Sequence, residues 1–228
     1  MRLALIVPTL DDDTALAHFL TQLAGLDLPP DEVIVVDGGS RSSTAQICRD
    51  FGCTWMSAQQ GRGVQLRAGA ARANADALWF VHADCQLHPD ASKAIRAAIA
   101  TGEAGGYFRF QFGGERRALK RFLEWCIAWR CRAAMVYGDQ GIFATRSAYD
   151  ASPGFSAQPL FEEVALVRAL KRSGRFAALA LPIIVSSRRW ERDGFLRRTL
   201  HNRALALGFL LGIDSMTLAR WYRTRVSQ

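Results

Sequence analysis

The sequence predicts an α/β fold built on a Rossmann-like, mostly parallel sheet flanked by helices, and three features carry that expectation. Short apolar runs, Leu3 to Val7, Val33 to Val36 and Leu78 to Val81, alternate with segments of helical periodicity. Each run is too short for a helix and reads as a buried strand. Each also empties into a polar turn: Pro8-Thr9-Leu10-Asp11, Asp37-Gly38-Gly39-Ser40 and His82-Ala83-Asp84. No internal repeat, low-complexity tract or linker interrupts the alternation.

The first strand is expected to end at Pro8, and Asp11, Asp12 and Asp13 then offer N-caps to a helix carrying Leu16, Phe19, Leu20 and Leu23 at helical spacing. Pro29-Pro30 breaks the chain before the second strand, which turns through Asp37-Gly38 into a helix near Ser43 to Phe51. A short strand, Thr54 to Met56, leads to Gly61-Arg62-Gly63 and a helix over about Val64 to Ala75. The two glycines let backbone approach a ligand, and Arg62 can meet a phosphate there. Neither glycine turn fits Gly-x-Gly-x-x-Gly, which excludes a simple dinucleotide-binding reading.

After the His82-Ala83-Asp84 turn, Pro89 suits the first turn of a helix running to Ala100, and Gly105 to Phe112 alternates like a strand. Glu115 to Met135 reads as one long helix with Leu119, Phe122, Leu123, Cys126 and Trp129 on one side, expected to pack on the sheet; its alternative use is a basic, aromatic face for a membrane or an acceptor. Tyr137 to Ala144 pairs a polar turn containing Asp139 and Gln140 with a short strand, and Leu160 to Val167 opens a helix with Glu162 and Glu163 in its first turn. Two short strands are expected around Pro182, then a basic loop from Ser186 to Arg192, then helices over Phe195 to Leu211 and Met216 to Tyr222.

At 228 residues, 50% of them hydrophobic, the chain can build a sizeable core, and its net charge of +8 suits an anionic partner. The five cysteines contain no Cys-x-x-Cys and no zinc-like spacing, so free, partly buried thiols are expected. Leu3 to Val7 is too short for a signal-peptide core, and the run Ala204 to Ile213 is too short to span a bilayer. A soluble, cytoplasmic protein is expected.

A carboxylate such as Asp84, delivered at the carboxyl end of a buried strand, is a candidate for holding a phosphate-bound metal; alone, His-x-Asp after a strand equally suits a capped turn. The order of the motifs adds weight. Over roughly residues 1 to 190 the chain resembles the family 2 glycosyltransferases of GT-A fold, through Pro8-Thr9-Leu10, Val35-Val36-Asp37-Gly38-Gly39-Ser40, Phe80-Val81-His82-Ala83-Asp84, Gly138-Asp139-Gln140, Glu162-Glu163 and Arg189-Trp190. It is most similar to small soluble members carrying His-Ala-Asp in place of Asp-x-Asp, a group associated with arsenosugar biosynthesis.

The resemblance implies a GT-A unit over 1–190, with 191–228 as a C-terminal helical extension packed on the same domain. It implies a nucleotide-sugar donor, of the UDP type, with its nucleoside between Pro8-Thr9 and Asp37-Gly38, Asp12 toward the ribose and Arg62, His82 and Ala83 near the nucleotide. Asp84 would hold a divalent metal (Mn or Mg) on the diphosphate, Arg189-Trp190 would close over the pyrophosphate, and Asp139, Gln140 and Glu162 would face the acceptor. Glu163 would be the general base for one inverting displacement by an acceptor hydroxyl, soluble or lipid-linked at an anionic membrane. The chain departs from the family at Asp11-Asp12, commonly Asn-Glu, at Arg67, often Asn, at His82, usually an acid, and at Ser186, where processive polysaccharide synthases carry Gln. A single addition is therefore expected.

Two other readings compete. A nucleotidyltransferase needs a glycine-rich loop and a lysine at the first strand-helix turn, where this chain has three aspartates. A non-enzymatic binder of nucleic acid or membrane could use the arginines between Arg188 and Arg203. No nucleic-acid partner is expected, because the ordered motifs favour the transferase.

Overall fold

The structure, a computed structural model, describes residues 1–132 and 135–224; residues 133–134, inside the expected long helix, and 225–228, at the end of the expected extension, lie outside them. The strands are β1 (Leu3–Thr9), β2 (Glu32–Asp37), β3 (Thr54–Ser57), β4 (Ala77–Phe80), β5 (Cys85–Gln86), β6 (Gly105–Phe112), β7 (Phe143–Thr145) and β8 (Phe176–Val185). Interleaved with them are α1 (Asp13–Thr21), α2 (Ser42–Asp50), α3 (Arg62–Arg72), α4 (Ala91–Ala100), α5 (Ala118–Arg132), α6 (Arg146–Asp150) and α7 (Val164–Arg172), followed by α8 (Arg188–Asp193), α9 (Phe195–Leu210) and α10 (Ser215–Thr224).

The strands form one sheet in the order β3-β2-β1-β4-β7-β6-β8-β5. The β1–β2, β1–β4, β2–β3 and β6–β8 pairs are parallel; β7 is antiparallel to both β4 and β6. Apolar residues cover both faces. Leu3, Leu5, Val7 and Trp79 face a core completed by Leu16, Phe19 and Leu20 of α1 and Ile95 of α4. Ala4, Ile6, Leu78 and Phe80 face the other, completed by Leu66 and Ala70 of α3 and Leu166, Val167 and Leu170 of α7. Burial on both sides explains why β1 is apolar from Leu3 to Pro8 and β4 from Ala77 to Phe80. Each fully buried large side chain such as Phe19 or Trp79 contributes about 1.5–3 kcal/mol. The five cysteines are free, buried or half-buried.

Several local expectations are corrected. Pro8 does not end β1; it pairs in register with Val36, and it is tolerated because β4 stops pairing at Ile6↔Phe80, leaving position 8 with a neighbour on one side only. The two strands around Pro182 are one strand, β8, whose register against β6 jumps between Leu179↔Phe108 and Pro182↔Arg109. The extra residues, Ala180 and Leu181, form a bulge, and Arg109 Nε donates to the Ala180 carbonyl at 3.0 Å. The basic loop after β8 folds into α8, and α7 begins at Val164, so Glu162 and Glu163 precede the helix instead of occupying its first turn.

Helix α5 is turned over relative to expectation. Leu123 is buried, but Phe122 and Trp129 are exposed, while Lys120 and Glu124 face inward. The reason lies in the backbone ends they satisfy. Glu124 Oε1 accepts from the Phe112 N–H at 2.8 Å and from Arg116 at 2.7 Å, and Lys120 Nζ donates to the Gly113 carbonyl at 2.7 Å. Among the described residues no helix is long and apolar enough to cross a membrane.

Candidate functional site

One edge of the sheet collects the turns that carry chemistry. Strands β1, β2, β4, β6 and β8 point the same way, so their carboxyl ends share that edge, and antiparallel β7 brings its preceding turn, Gly138–Gln140, to it. This is the edge at which open α/β sheets bind ligands.

Helix α3 starts at Arg62, whose Nε lies 3.0 Å from Glu162 Oε1. Gly63 makes that approach possible: a Cβ there would stand 1.8 Å from the Ser156 carbonyl oxygen and 3.0 Å from Glu162 Cβ. The Ser156 N–H in turn donates to the Glu162 carbonyl at 2.8 Å. Phe161 adopts φ of +61°, a conformation costing a non-glycine residue on the order of 1 kcal/mol or more, just before the two acids that turn inward. Glu162 and Glu163 are both buried, and Glu162 Oε2 has no hydrogen-bond partner among the described residues. Burial, and then the Glu162 charge, push the Glu163 carboxyl up to about 8, against the pull of Arg62. A carboxylate with that value is poised between proton acceptor and acid near neutral pH.

The turn after β4 places His82, Ala83 and Asp84 at the same edge, closed by a Cys85 N–H to His82 carbonyl bond at 3.2 Å. His82 Nε2 is enclosed and unpartnered among the described residues, and a Cβ on Gly138 would come within 3.3 Å of it. Burial, assisted by Arg62 and opposed by Asp84, lowers His82 to about 4, so the ring is neutral at physiological pH. Asp139, in the facing turn, is raised from its ordinary value by burial and by Asp84, although Arg130 and Arg62 oppose the shift; its Oδ1 is buried without a partner among the described residues. Arg62, His82, Asp84, Asp139, Glu162 and Glu163 thus act on one another as a single electrostatic cluster.

Other expected site residues hold the scaffold around it. Both carboxylate oxygens of Asp37 accept backbone N–H groups, from Gly39 and Arg41, each at 2.8 Å. The Thr9 carbonyl, just past Pro8, receives the Gly38 N–H at 2.9 Å and Gln65 Nε2 at 2.7 Å. Asp12 is the N-cap of α1, accepting from the Ala15 N–H at 3.2 Å. Gln140 is buried and takes part in bonds with Cys131 Sγ at 3.2 Å and the Phe108 carbonyl at 3.4 Å. Arg189 is exposed, its Nη1 3.3 Å from the Tyr222 hydroxyl, whereas the Trp190 ring packs edge-on against Phe112 at 5.1 Å. Asp12, Ala83 and Asp84 border a cleft of about 880 Å³ that Ser186, Ser187 and Arg188 also line.

Arg130, whose charge reaches Asp139, and Tyr222, which meets Arg189, are absent from the sequence-based set. Tyr222 lies 33 residues from Arg189 in a segment without a recognisable motif, so only packing reveals it.

Among the described residues no group of three His, Cys, Asp or Glu side chains is arranged so that it could hold a metal ion by itself. Asp84, bordering the cleft, still fits a hard divalent cation, because such ions commonly take one or two carboxylates and complete their shell with water and substrate phosphate oxygens.

The protein-family model described as "Glycosyl transferase family 2" matches residues 4–148. Among solved structures, S. aureus TarS 1-349 in complex with UDP-GlcNAc is similar at 17% identity and a TM-score of 0.64, over 82% of this chain and 58% of that one. The mannosyltransferase PcManGT from Pyrobaculum calidifontis, in complex with GDP-Man and Mn2+, matches at 16% identity and a TM-score of 0.61, over 80% of this chain and 56% of that one. Glucosyl-3-phosphoglycerate synthase from Mycobacterium tuberculosis, with Mn2+, UDP and glucosyl-3-phosphoglycerate, matches at 20% identity and a TM-score of 0.60, over 79% and 70% of the two chains. The chain therefore spans under three fifths of the length of the first and second of these. At such identities the likeness shows the shared fold. No curated protein matches the sequence.

Proposed function

This chain belongs to glycosyl transferase family 2, and from that premise we propose that it transfers a single sugar, with inversion, from a UDP-type nucleotide sugar to a hydroxyl acceptor. The observation that carries this reading is Glu163: a buried carboxyl held at about 8, beside the Arg62–Glu162 ion pair and at the same sheet edge as Asp84. In the reaction the acceptor oxygen bonds to the anomeric carbon as the bond from that carbon to the diphosphate oxygen breaks. The acceptor's proton passes to Glu163, and the nucleoside diphosphate leaves with the electron pair.

Asp84 is the residue that would hold a divalent ion, Mn or Mg, which when bound supplies positive charge next to the diphosphate. Arg62 and Arg189 bring guanidinium groups to the same anion, and neutral His82, with its unpartnered Nε2, is suited to hydrogen-bond the sugar nucleotide. We assign Asp139, Gln140 and Glu162 to the acceptor side of Glu163. We read residues 1–190 as the catalytic unit and 191–228 as a helical extension on it, with a lipid-linked acceptor as the form that suits the basic helices. The similarity to the His-Ala-Asp subgroup associated with arsenosugar biosynthesis rests on residues 82–84.

The direct test is a screen of nucleotide sugars for thermal stabilisation, with and without Mn or Mg, followed by a transfer assay with the best donor. The reading expects a preference for one nucleoside diphosphate sugar and a metal-dependent shift. Equal stabilisation by any polyanion, with steep loss at high salt, would instead favour a non-enzymatic anion binder.

A further inference from the structure

The α5 helix turns its aromatic residues away from the protein. Phe122, Trp125 and Trp129 are 57%, 58% and 55% exposed, on the side of the helix opposite buried Lys120, Leu123, Glu124 and Cys131. They form a continuous ladder, with ring centroids 6.2 Å apart for Phe122 and Trp125 and 5.8 Å for Trp125 and Trp129. The Arg132 guanidinium sits 5.3 Å from the Trp129 ring, and Arg121 is exposed on the same helix.

The ladder is part of a wider asymmetry. Of the fifteen exposed large hydrophobic side chains among the described residues, eleven lie on α5, on α9 with its C-cap Leu211, and on α10. The one acid in these three helices is Glu124, which is buried against Arg116 and the Phe112 N–H. Helix α9 starts where Lys120 of α5 lies 5.6 Å from the Phe195 ring, and near its end Phe209 packs at a tilt against Phe161, which meets Tyr137 just beyond α5. Aromatic and leucine side chains on helices that carry arginines and no exposed acid of their own, the exposed Glu115 and Asp214 lying in the turns before α5 and α10, match the interface of an anionic bilayer. A second copy of this chain would bring like charges together across a two-fold contact. The aromatic ladder alone would also serve stacked bases, but the exposed leucines of α9 and its C-cap give a nucleic acid nothing to pair or stack with, which favours lipid.

We propose that the outward face of α5 docks this protein on an anionic lipid surface through Phe122, Trp125 and Trp129. It deepens the transfer reading by naming where a membrane-held acceptor would be met. Arg130 stacks over Tyr137 at 4.0 Å, and the Gly138–Gln140 turn of the candidate site follows directly. The docking itself does not depend on sugar transfer.

The test is cosedimentation of the full chain with vesicles of phosphatidylserine and phosphatidylcholine, and with phosphatidylcholine alone, at low and high salt. The expected result is salt-sensitive binding that favours the anionic vesicles and weakens at least tenfold in the triple variant Phe122→Ser/Trp125→Ser/Trp129→Ser. Because those side chains are exposed, the variant should melt close to wild type and keep its nucleotide-sugar thermal shift. That shift also separates the two readings: its loss in wild type would count against the transferase alone. Docking is overturned if wild type does not bind anionic vesicles, if the variant binds equally well, or if the same variant instead abolishes self-association or RNA binding while vesicles are ignored.

Discussion

Arg62 Nε and Glu162 Oε1 form a 3.0 Å ion pair in which the carboxylate is buried and the guanidinium is partly open to solvent. The pair sits beside Glu163, so Glu162 has an electrostatic role whatever it does for an acceptor: its charge is one of the causes that raise Glu163. Replacing it neutralises that neighbour and leaves Arg62 in place, and both changes favour the ionised form of Glu163. Glu162→Gln should therefore move the acid limb of the pH–kcat/KM profile to lower pH while much turnover survives. An unmoved or upward-shifted limb contradicts the assignment.

Glu163→Gln keeps the shape of the side chain and removes the proton acceptor, so turnover should fall on the order of a hundredfold or more while nucleotide-sugar binding persists. The same group makes a stability prediction. Between the ordinary glutamate value of 4.5 and the folded value of about 8, the folded chain keeps a proton that the unfolded chain has released. Its contribution to stability therefore declines as pH rises through that interval. Melting curves at pH 5.5 and 8.5 should show Glu163→Gln gaining on wild type at the higher pH; a constant difference would mean the carboxyl is not held protonated.

Asp84→Asn tests the metal assignment without disturbing the turn, whose closing hydrogen bond is made by the Cys85 N–H and the His82 carbonyl. With UDP present, the Mn-dependent rise in melting temperature expected of wild type should vanish in the variant, and the ligand-free melting temperature should stay within a few degrees. Equal metal dependence in the two proteins would move the metal away from Asp84.

Gly63→Ala introduces a Cβ 1.8 Å from the Ser156 carbonyl oxygen. Backbone must shift to relieve that contact, at an expected cost of about 1–3 kcal/mol, read as a lowered denaturation midpoint. Because the same loop carries Glu162, turnover should fall as well. Gly25→Ala is the control, since nothing lies within 4 Å of a Cβ there, and it should leave turnover unchanged.

How much of this was legible beforehand follows from the range of the forces involved. Leu3–Thr9, Glu32–Asp37 and Ala77–Phe80 could be read as buried strands because strand length and apolar content are local properties of the chain. Once they are parallel, their polar turns must share an edge, so the placing of His82 and Asp84 at one sheet edge was implicit in the sequence. Periodicity also announced that α5 has two unlike faces. It could not say which one turns inward, because that choice is made by the Phe112 N–H and the Gly113 carbonyl, ends of a distant strand that Glu124 and Lys120 satisfy. The Gly63–Ser156 contact, the Arg189–Tyr222 bond and the bulge that joins β8 into one strand likewise depend on atoms far apart in sequence. The raised proton affinity of Glu163 belongs with them: the residue was visible in the sequence, but the burial that shifts it exists only once α3, the 152–163 loop and α7 have closed around it.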